Sequence, residues 1–245
     1  MIDWGMLAVV LAGAAAGGLV NGLTGTGTAM SALPIWLQAL EPPLATQLAA
    51  SCSVVGQLLT IRQIWSQVAW RRVAPILAAG LAGVPAGVWL LPHVPVAAFK
   101  FGVGVLLVAY SAVAMLAAGR VGRLGAGSVA DTAAGLVGGV FGGLAGLSGA
   151  PMIIWSTLQG WTKLERRTIF QLFNLTVLSA MLAGNAASGR MADNFLPTLA
   201  LALPASIGGV LIGAALYRRL SDRGFERAVL WLLLVAGLGL VVTNA

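Results

Sequence analysis

The chain has 245 residues, of which 59% are hydrophobic and only 9% are charged, and its mean hydropathy is +0.94. This composition excludes a soluble globular protein and predicts an all-α protein that crosses a membrane several times. The formal net charge of +7 does not indicate nucleic-acid binding, because the basic residues are spread over short loops and form no patch interleaved with aromatic residues.

Eight long apolar runs follow one another along the chain, and a membrane-spanning helix needs about 20 such residues. The first run, 5–40, and the fifth, 129–160, each contain a glycine-rich break. Asp3 precedes the first run without any basic residue, so we expect an uncleaved segment rather than a signal peptide. The other six runs are candidate transmembrane helices and lie at 44–62, 73–91, 97–117, 168–187, 196–217 and 228–243.

The two breaks belong to a repeated pattern. A set of five residues recurs 121 positions later (138 − 17), which pairs Gly17, Gly18, Gly22, Leu23 and Gly25 with Gly138, Gly139, Gly143, Leu144 and Gly146. The pattern predicts a tandem duplication, with a first repeat at 1–120 and a second at 121–245 that together form one domain. Two matched breaks predict one shared binding site.

The breaks hold hydrogen-bond donors and no charge. Unwound backbone at membrane depth is tolerated where it lines a cavity, and the start of the half-helix after each break favours an anion. The alternative is that the glycines only permit close helix packing. We predict a substrate site made by residues of both breaks, namely Asn21, Gly22, Thr24, Gly25, Thr26, Gly27, Thr28, Gly146, Leu147, Ser148, Gly149 and Ala150.

Four residues outside the breaks complete the predicted site. Gln57 and Asn174 are uncharged donors on the helices that follow the breaks, although such residues also bond neighbouring helices. Trp36 and Trp155 each follow a break by a short stretch. Tryptophan commonly anchors a helix at the membrane interface, but here either ring could wall an apolar pocket suited to an organosulfonate.

Four basic clusters between the runs constrain the topology, because basic loops face the cytoplasm. If every run crossed once, two clusters would face the wrong side. If runs 5–40 and 129–160 instead return as re-entrant hairpins, all four clusters face the cytoplasm, and each repeat crosses three times with the second inverted relative to the first. Both termini then face the periplasm, and eight single crossings are the alternative. The clusters are Arg71 and Arg72; Arg120 and Arg123; Lys163, Arg166 and Arg167; and Arg218, Arg219, Arg223 and Arg227.

Several of these residues resemble the sulfite exporter TauE/SafE family. The resemblance lies in a glycine-rich turn in each half, followed by Pro34 or by Gly149-Ala150-Pro151, and in the basic stretch 163–168. The chain departs from the usual pattern at 26–29, where a glycine run is common, and at Ala150, which interrupts a common Gly-Pro-Pro. The resemblance implies transport of sulfite, sulfonates or related organic anions across the bacterial inner membrane.

The predicted function is therefore secondary transport of a sulfur-containing anion by alternating access, with the lipid bilayer and a small sulfur oxyanion as partners. An anion channel is the alternative, and a homo-oligomer is compatible with the sequence. Gly146-Leu147-Ser148-Gly149 resembles the nucleophile motif of serine intramembrane proteases, but the only histidine, His93, lies in a proline-flanked loop. We predict no enzyme activity, cofactor or metal site, and the seven acids at segment ends disfavour a proton relay.

Overall fold

A computed structural model describes residues 4–63, 65, 68–117, 127–159, 161–217 and 222–244. The eight predicted runs become ten α-helices in these ranges, because each broken run divides into two. Short 3₁₀ turns follow the third and fourth helices. The helices are α1 (Trp4–Thr24), α2 (Thr28–Trp36), α3 (Pro42–Thr60), α4 (Trp70–Leu90), α5 (Val96–Ala117), α6 (Ser128–Ala145), α7 (Gly149–Gln159), α8 (Lys163–Ala187), α9 (Phe195–Tyr217) and α10 (Asp222–Asn244).

Six of these helices, α1, α4, α5, α6, α8 and α9, are long and apolar enough to cross a membrane. Their outward faces carry exposed apolar side chains such as Leu211 and Val105. The predicted all-helical membrane class is therefore confirmed. The 19-residue α3 is too polar to be counted with the six, because it buries Thr46, Gln47, Ser51, Ser53, Gln57 and Thr60.

Some predicted features lie outside the described residues. These are Asp3, the loop arginines Arg120, Arg123, Arg218 and Arg219, and the boundary between the proposed repeats at 120 and 121. Helix α5 ends before that boundary and α6 begins after it. Five described helices therefore fall in each predicted repeat.

Each broken run folds as a hairpin of one long and one short helix. A Cβ on Gly17 would meet Thr28, and one on Gly13 would meet Trp36, so α1 and α2 run antiparallel. The turn is shorter than the predicted break from Asn21 to Thr28, because α1 continues through Thr24 and the left-handed residues are Gly25 and Gly27, with φ of 78° and 97°. In the second hairpin the turn begins at Gly146, with φ of 66°.

The long arm of each hairpin packs tightly on a helix of the other repeat. A Cβ on Gly139 of α6 would lie 2.0 Å from the Gly80 carbonyl oxygen of α4, and one on Gly18 of α1 would lie 2.1 Å from that of Ser206 in α9. Further along the chain, Gly22 faces Val210 in the same way, so α1 and α9 run parallel. Close packing is therefore the role of these glycines, as the alternative interpretation predicts for the glycines of the breaks.

The correspondence between the halves extends beyond the glycine pattern. Gly83 packs on α6 as Gly209 packs on α1, an offset of 126 (209 − 83), and Gly104 and Gly237 face each other across α5 and α10, an offset of 133 (237 − 104). The offset between matching residues therefore grows from 121, as it would if the connections in the second half were longer. A comparison of the sequence with itself at a fixed offset of 121 does not find the matches at 126 and 133.

Helices α3 and α8, each the third described helix of its predicted repeat, pack against each other. Gln171 in the first half of α8 donates to the Gln57 carbonyl oxygen near the end of α3 at 3.0 Å. At the other end, Gln47 near the start of α3 donates to the Arg190 carbonyl oxygen, just after α8, at 2.9 Å. The two helices therefore run in opposite directions.

Candidate functional site

The tips of the two hairpins meet at one cavity in the middle of the molecule. Thr26, Gly27 and Thr28 of the first tip face Gly146, Leu147 and Gly149 of the second. The remaining lining residues belong to helices α2, α3 and α8; these are Ala29, Met30, Ser53, Asn174 and Leu178. The structure thus brings together six of the twelve predicted break residues.

Asn174 of α8 joins the two tips through its side-chain amide. Its Nδ2 donates to the Thr26 hydroxyl of the first tip, and its Oδ1 accepts from the Ser148 hydroxyl of the second at 2.5 Å. All three side chains are buried. Both tips are therefore tied to one residue of a central helix.

The start of α2 supplies backbone donors to the cavity. The first N–H groups of a helix have no acceptor within it, and Thr28, Ala29 and Met30 occupy that first turn. The start of α7 supplies fewer, because Pro151 has no N–H and Ala150 donates to the Leu147 carbonyl oxygen at 3.2 Å. The two tips are thus unequal, and α2 is the stronger source of positive potential.

The Thr28 side chain also indicates that the cavity can bind a ligand. It is 1% exposed and lines the cavity, and its hydroxyl has no hydrogen-bond partner among the described residues. A buried polar atom without a partner is costly and rare in proteins. A bound oxygen-rich molecule would satisfy it together with the backbone donors of α2.

None of the residues that line the cavity is charged. Its volume is about 10 Å³, which is room for about one water molecule. A sulfite ion or a sulfonate group is larger than one water. The hairpin tips must therefore move apart before such an anion can bind between them.

Two of the predicted side-chain donors lie next to the cavity rather than on it. Asn21, in the last turn of α1, donates to the Ser53 carbonyl oxygen at 3.5 Å. Gln57 donates to the Ser53 hydroxyl at 3.2 Å. Both support Ser53, which lines the cavity, so their role in binding stays a prediction.

Several break residues have other contacts in this structure. Gly22 packs on Val210, and Gly25 packs on Arg167. The Thr24 hydroxyl lies 2.6 Å from the Thr26 carbonyl oxygen, within the turn. These three residues and Ala150 do not line the cavity.

Each tryptophan links the two arms of its hairpin. Trp36 is fully buried and donates its indole N–H to the Val10 carbonyl oxygen at 3.1 Å. Trp155 donates to the Asp131 carboxylate at 2.8 Å. The acceptor positions 10 and 131 differ by the offset of the glycine pattern (131 − 10 = 121), although one acceptor is a backbone carbonyl and the other is a carboxylate. Neither ring lines the cavity, and their role as pocket walls stays a prediction.

An ionic network holds the base of the second hairpin. Arg72 at the start of α4 lies 3.5 Å from the Asp131 carboxylate of α6 and 3.1 Å from that of Glu165 in α8. The same guanidinium stacks over the Trp161 ring, 4.7 Å from its centre. The starts of α4, α6 and α8 therefore lie at the same end of the molecule.

Ser53 also lines the cavity, although it is not among the sixteen residues predicted for the site. Ser53 is the equivalent of Asn174 in the first repeat (174 − 53 = 121), so applying the offset to Asn174 would have found it. Met30 and Leu178 also line the cavity. Neither carries a sequence signal, because apolar residues fill most positions of this chain.

Comparison with protein families gives a match over nearly the whole chain. The family described as "Sulfite exporter TauE/SafE" matches residues 9–240. Comparisons with curated proteins and with solved structures give no match. The matched range includes both hairpins, the central helices and every residue of the cavity. The chain therefore belongs to the sulfite exporter TauE/SafE family of membrane transporters.

Proposed function

We propose that the protein is a secondary transporter of a sulfur-containing anion, either sulfite or an organosulfonate. The observation that carries the proposal is the convergence of two hairpin tips on one buried cavity lined by uncharged donors. The start of α2 gives this cavity a positive potential, and the Thr28 hydroxyl offers a further contact. The family of the chain supports the same class of substrate.

Neutral donors suit a carrier better than a fixed cation would. A salt bridge between a buried cation and the anion would be stronger than hydrogen bonds from uncharged donors, and it would slow release of the anion. The described cavity places hydroxyl, amide and backbone groups around the ligand instead. The anion-bound and anion-free states of the carrier are then close in free energy, so the anion can bind and leave on each cycle.

Alternating access would arise from movement of the hairpins against α3 and α8. The opposite directions of these equivalent helices support an inverted repeat, the architecture of many secondary transporters. The parallel packing of α1 on α9 supports it too, because in an inverted repeat both helices cross in the same sense. A cavity with room for about one water molecule fits a substrate-free step of such a cycle.

The proposed location is the bacterial inner membrane, with both termini in the periplasm. The ionic network supports this orientation, since Arg72 contacts Glu165 and thereby holds two basic clusters at one end of the molecule. Arg190 lies at the other end, where its backbone contacts Gln47 of α3. With the basic clusters inside, Arg190 is outside.

An anion channel remains the alternative, and saturation of flux with substrate would separate a carrier from a channel. Proteolysis has less support. The Ser148 hydroxyl is buried and bonds Asn174, whereas His93 is exposed and contacts the Trp89 carbonyl oxygen at 2.8 Å. A serine nucleophile needs a base within hydrogen-bond reach.

The proposal is tested by the melting temperature of the detergent-purified protein with sulfite, alkyl and aryl sulfonates, carboxylates and phosphate. A ligand that binds only the native state raises the melting temperature. Stabilisation by aryl sulfonates over sulfite supports organosulfonate transport, and selective stabilisation by sulfite supports the smaller substrate. A melt that no anion shifts contradicts the proposed site.

A further inference from the structure

A polar stripe runs along one face of α8 from its first turn to the cavity. Arg167, Gln171 and Asn174 are spaced by four and three residues, so they lie on the same face of the helix. At 1.5 Å per residue the stripe is about 10 Å long. Asn174 lies on the cavity, and Arg167 lies at the end of α8 that carries the basic cluster.

The stripe lies against the tip of the first hairpin. A Cβ on Gly25 would be 3.4 Å from Arg167 Cγ, 3.6 Å from Arg167 Nε and 3.9 Å from Gln171 Oε1. Gln171 is fixed in this position, because its Nε2 donates to the Gln57 carbonyl oxygen and to the Thr60 hydroxyl at 2.7 Å. Movement of the first tip away from α8 would therefore uncover the stripe along its length.

The second repeat has no counterpart of this charge at its own tip. Thr46, Ala50 and Ser53 of α3 are the equivalents of Arg167, Gln171 and Asn174 (167 − 46 = 121). Gly146 packs on the Thr46 carbonyl oxygen at 3.4 Å, as Gly25 packs on Arg167. The Thr46 hydroxyl is turned back to the Pro43 carbonyl oxygen at 3.1 Å. The first tip therefore lies against a cation, whereas the second lies against a residue with a neutral side chain.

We propose that the polar stripe of α8 forms a route from the cytoplasm to the cavity. Arg167 is then a separate anion-binding position at the cytoplasmic end, or mouth, of this route. This inference rests on the proposed transport function. A guanidinium binds an oxyanion through two parallel N–H groups and keeps its charge at any physiological pH. Arg167 thus concentrates the anion at the mouth, while the uncharged cavity beyond it keeps release fast.

The placement of the charge makes the two sides of the transporter unequal. An anion that arrives from the cytoplasm meets Arg167 before Gln171 and Asn174, whereas an anion that arrives from the periplasm passes Thr46 and Ala50. Removal of the Arg167 charge therefore weakens binding from one side only. A purely structural role for Arg167 would affect both sides equally.

The test is the initial rate of transport against concentration, with sulfite and benzenesulfonate as the probes, in right-side-out and everted membrane vesicles. Loss of one charge-assisted contact predicts that Arg167→Gln raises KM about tenfold in everted vesicles, with a change below about twofold in right-side-out vesicles. Arg166→Gln is the matched control, because it removes the same charge from the neighbouring half-buried position. It leaves both KM values unchanged.

Equal effects of Arg167→Gln on both sides, or no effect, overturn the proposal while the transport function stands. If wild-type vesicles transport neither probe in either orientation, the proposed function fails and this inference fails with it. If Arg167→Gln does not accumulate in the membrane, Arg167→Lys carries the test. It keeps the charge but loses the two-pronged geometry, so KM rises about threefold in everted vesicles alone, and an unchanged KM overturns the proposal.

Discussion

Asn174 has a position that no other described residue shares, because its one amide group bonds a side chain from each hairpin tip. The group is buried, and its loss would leave the Thr26 and Ser148 hydroxyls without this partner. An anion that enters the cavity competes for the same donors. We therefore propose that Asn174 couples the separation of the two tips to binding of the anion.

Replacement of Asn174 by alanine tests this role. We expect transport to fall at least tenfold and the free energy of unfolding to fall by about 1–3 kcal/mol, because the Thr26 and Ser148 hydroxyls lose their partner. Uptake of sulfite in vesicles and the melting temperature measure the two effects. Asn185→Ala is the control, since Asn185 lies on the same helix and bonds only locally, to the Met181 carbonyl oxygen at 2.9 Å. Wild-type transport by Asn174→Ala would contradict the site.

Trp155 has two proposed roles that different substitutions separate. Trp155→Phe keeps an aromatic wall but removes the donor to Asp131, and it should lower the free energy of unfolding by about 1 kcal/mol without changing substrate preference. Trp155→Ala should weaken aryl sulfonate uptake and spare sulfite if the ring contacts substrate. Competition between the two substrates measures the preference. Equal loss of both with Trp155→Ala would assign the ring to the hairpin alone.

At the scale of the helices, glycine contacts hold each hairpin on the opposite repeat. The backbones of α6 and α4 approach so closely at Gly139 that a methyl group would overlap the Gly80 carbonyl oxygen. The same contact recurs between α1 and α9 at Gly18. The long arms are therefore held in two close pairs, and we propose that the hairpin tips and the short helices α2 and α7 move against α3 and α8 during transport.

Gly139→Ala tests the close packing of α6 on α4. The added Cβ meets backbone that cannot rotate away, so α6 must shift from α4, and we expect the free energy of unfolding to fall by about 1–3 kcal/mol. The melting temperature in detergent measures the change. Gly184→Ala is the control, because nothing lies within 4 Å of its added methyl group. An unchanged melting temperature for Gly139→Ala would mean that the two helices are not in close contact.

At the scale of the whole molecule, the two hairpins decide the topology. With two re-entrant hairpins, the start of α4 and the loop after α8 face opposite sides of the membrane. With eight single crossings, the same two points face the same side. The contacts of Arg72 with Glu165 and of Gln47 with Arg190 support the first arrangement, because they join different helices at opposite ends of the molecule.

Cysteine labelling distinguishes the two arrangements. The native Cys52 is buried, so the wild-type chain is the unlabelled control. Exposed positions are available at both points, and we expect an impermeant maleimide to label Ser188→Cys in intact cells but Arg71→Cys only after permeabilisation. Labelling of both positions from the same side would contradict the inverted repeat.

Much of this architecture follows from the sequence by itself. The apolar runs determine the membrane class, because a bilayer accepts few charges in a spanning helix. The repeated glycines determine the two breaks, since Gly25 and Gly146 both adopt positive φ, which costs other residues free energy. Asn174 was predicted as a site residue, and it lies at the meeting point of the two tips.

Only the tertiary structure decided which residues of the two breaks face each other. Gly22 and Gly27 look alike in the sequence, yet Gly22 lies within α1 and packs on α9, whereas Gly27 lies beyond the end of α1 and lines the cavity. The tertiary structure also decided which residues contact Trp36 and Arg167. These are Val10 and Gly25, and each is distant in the chain from the residue that it contacts. A chain sequence records hydropathy and backbone preference locally, whereas contacts between helices depend on how all of them pack together.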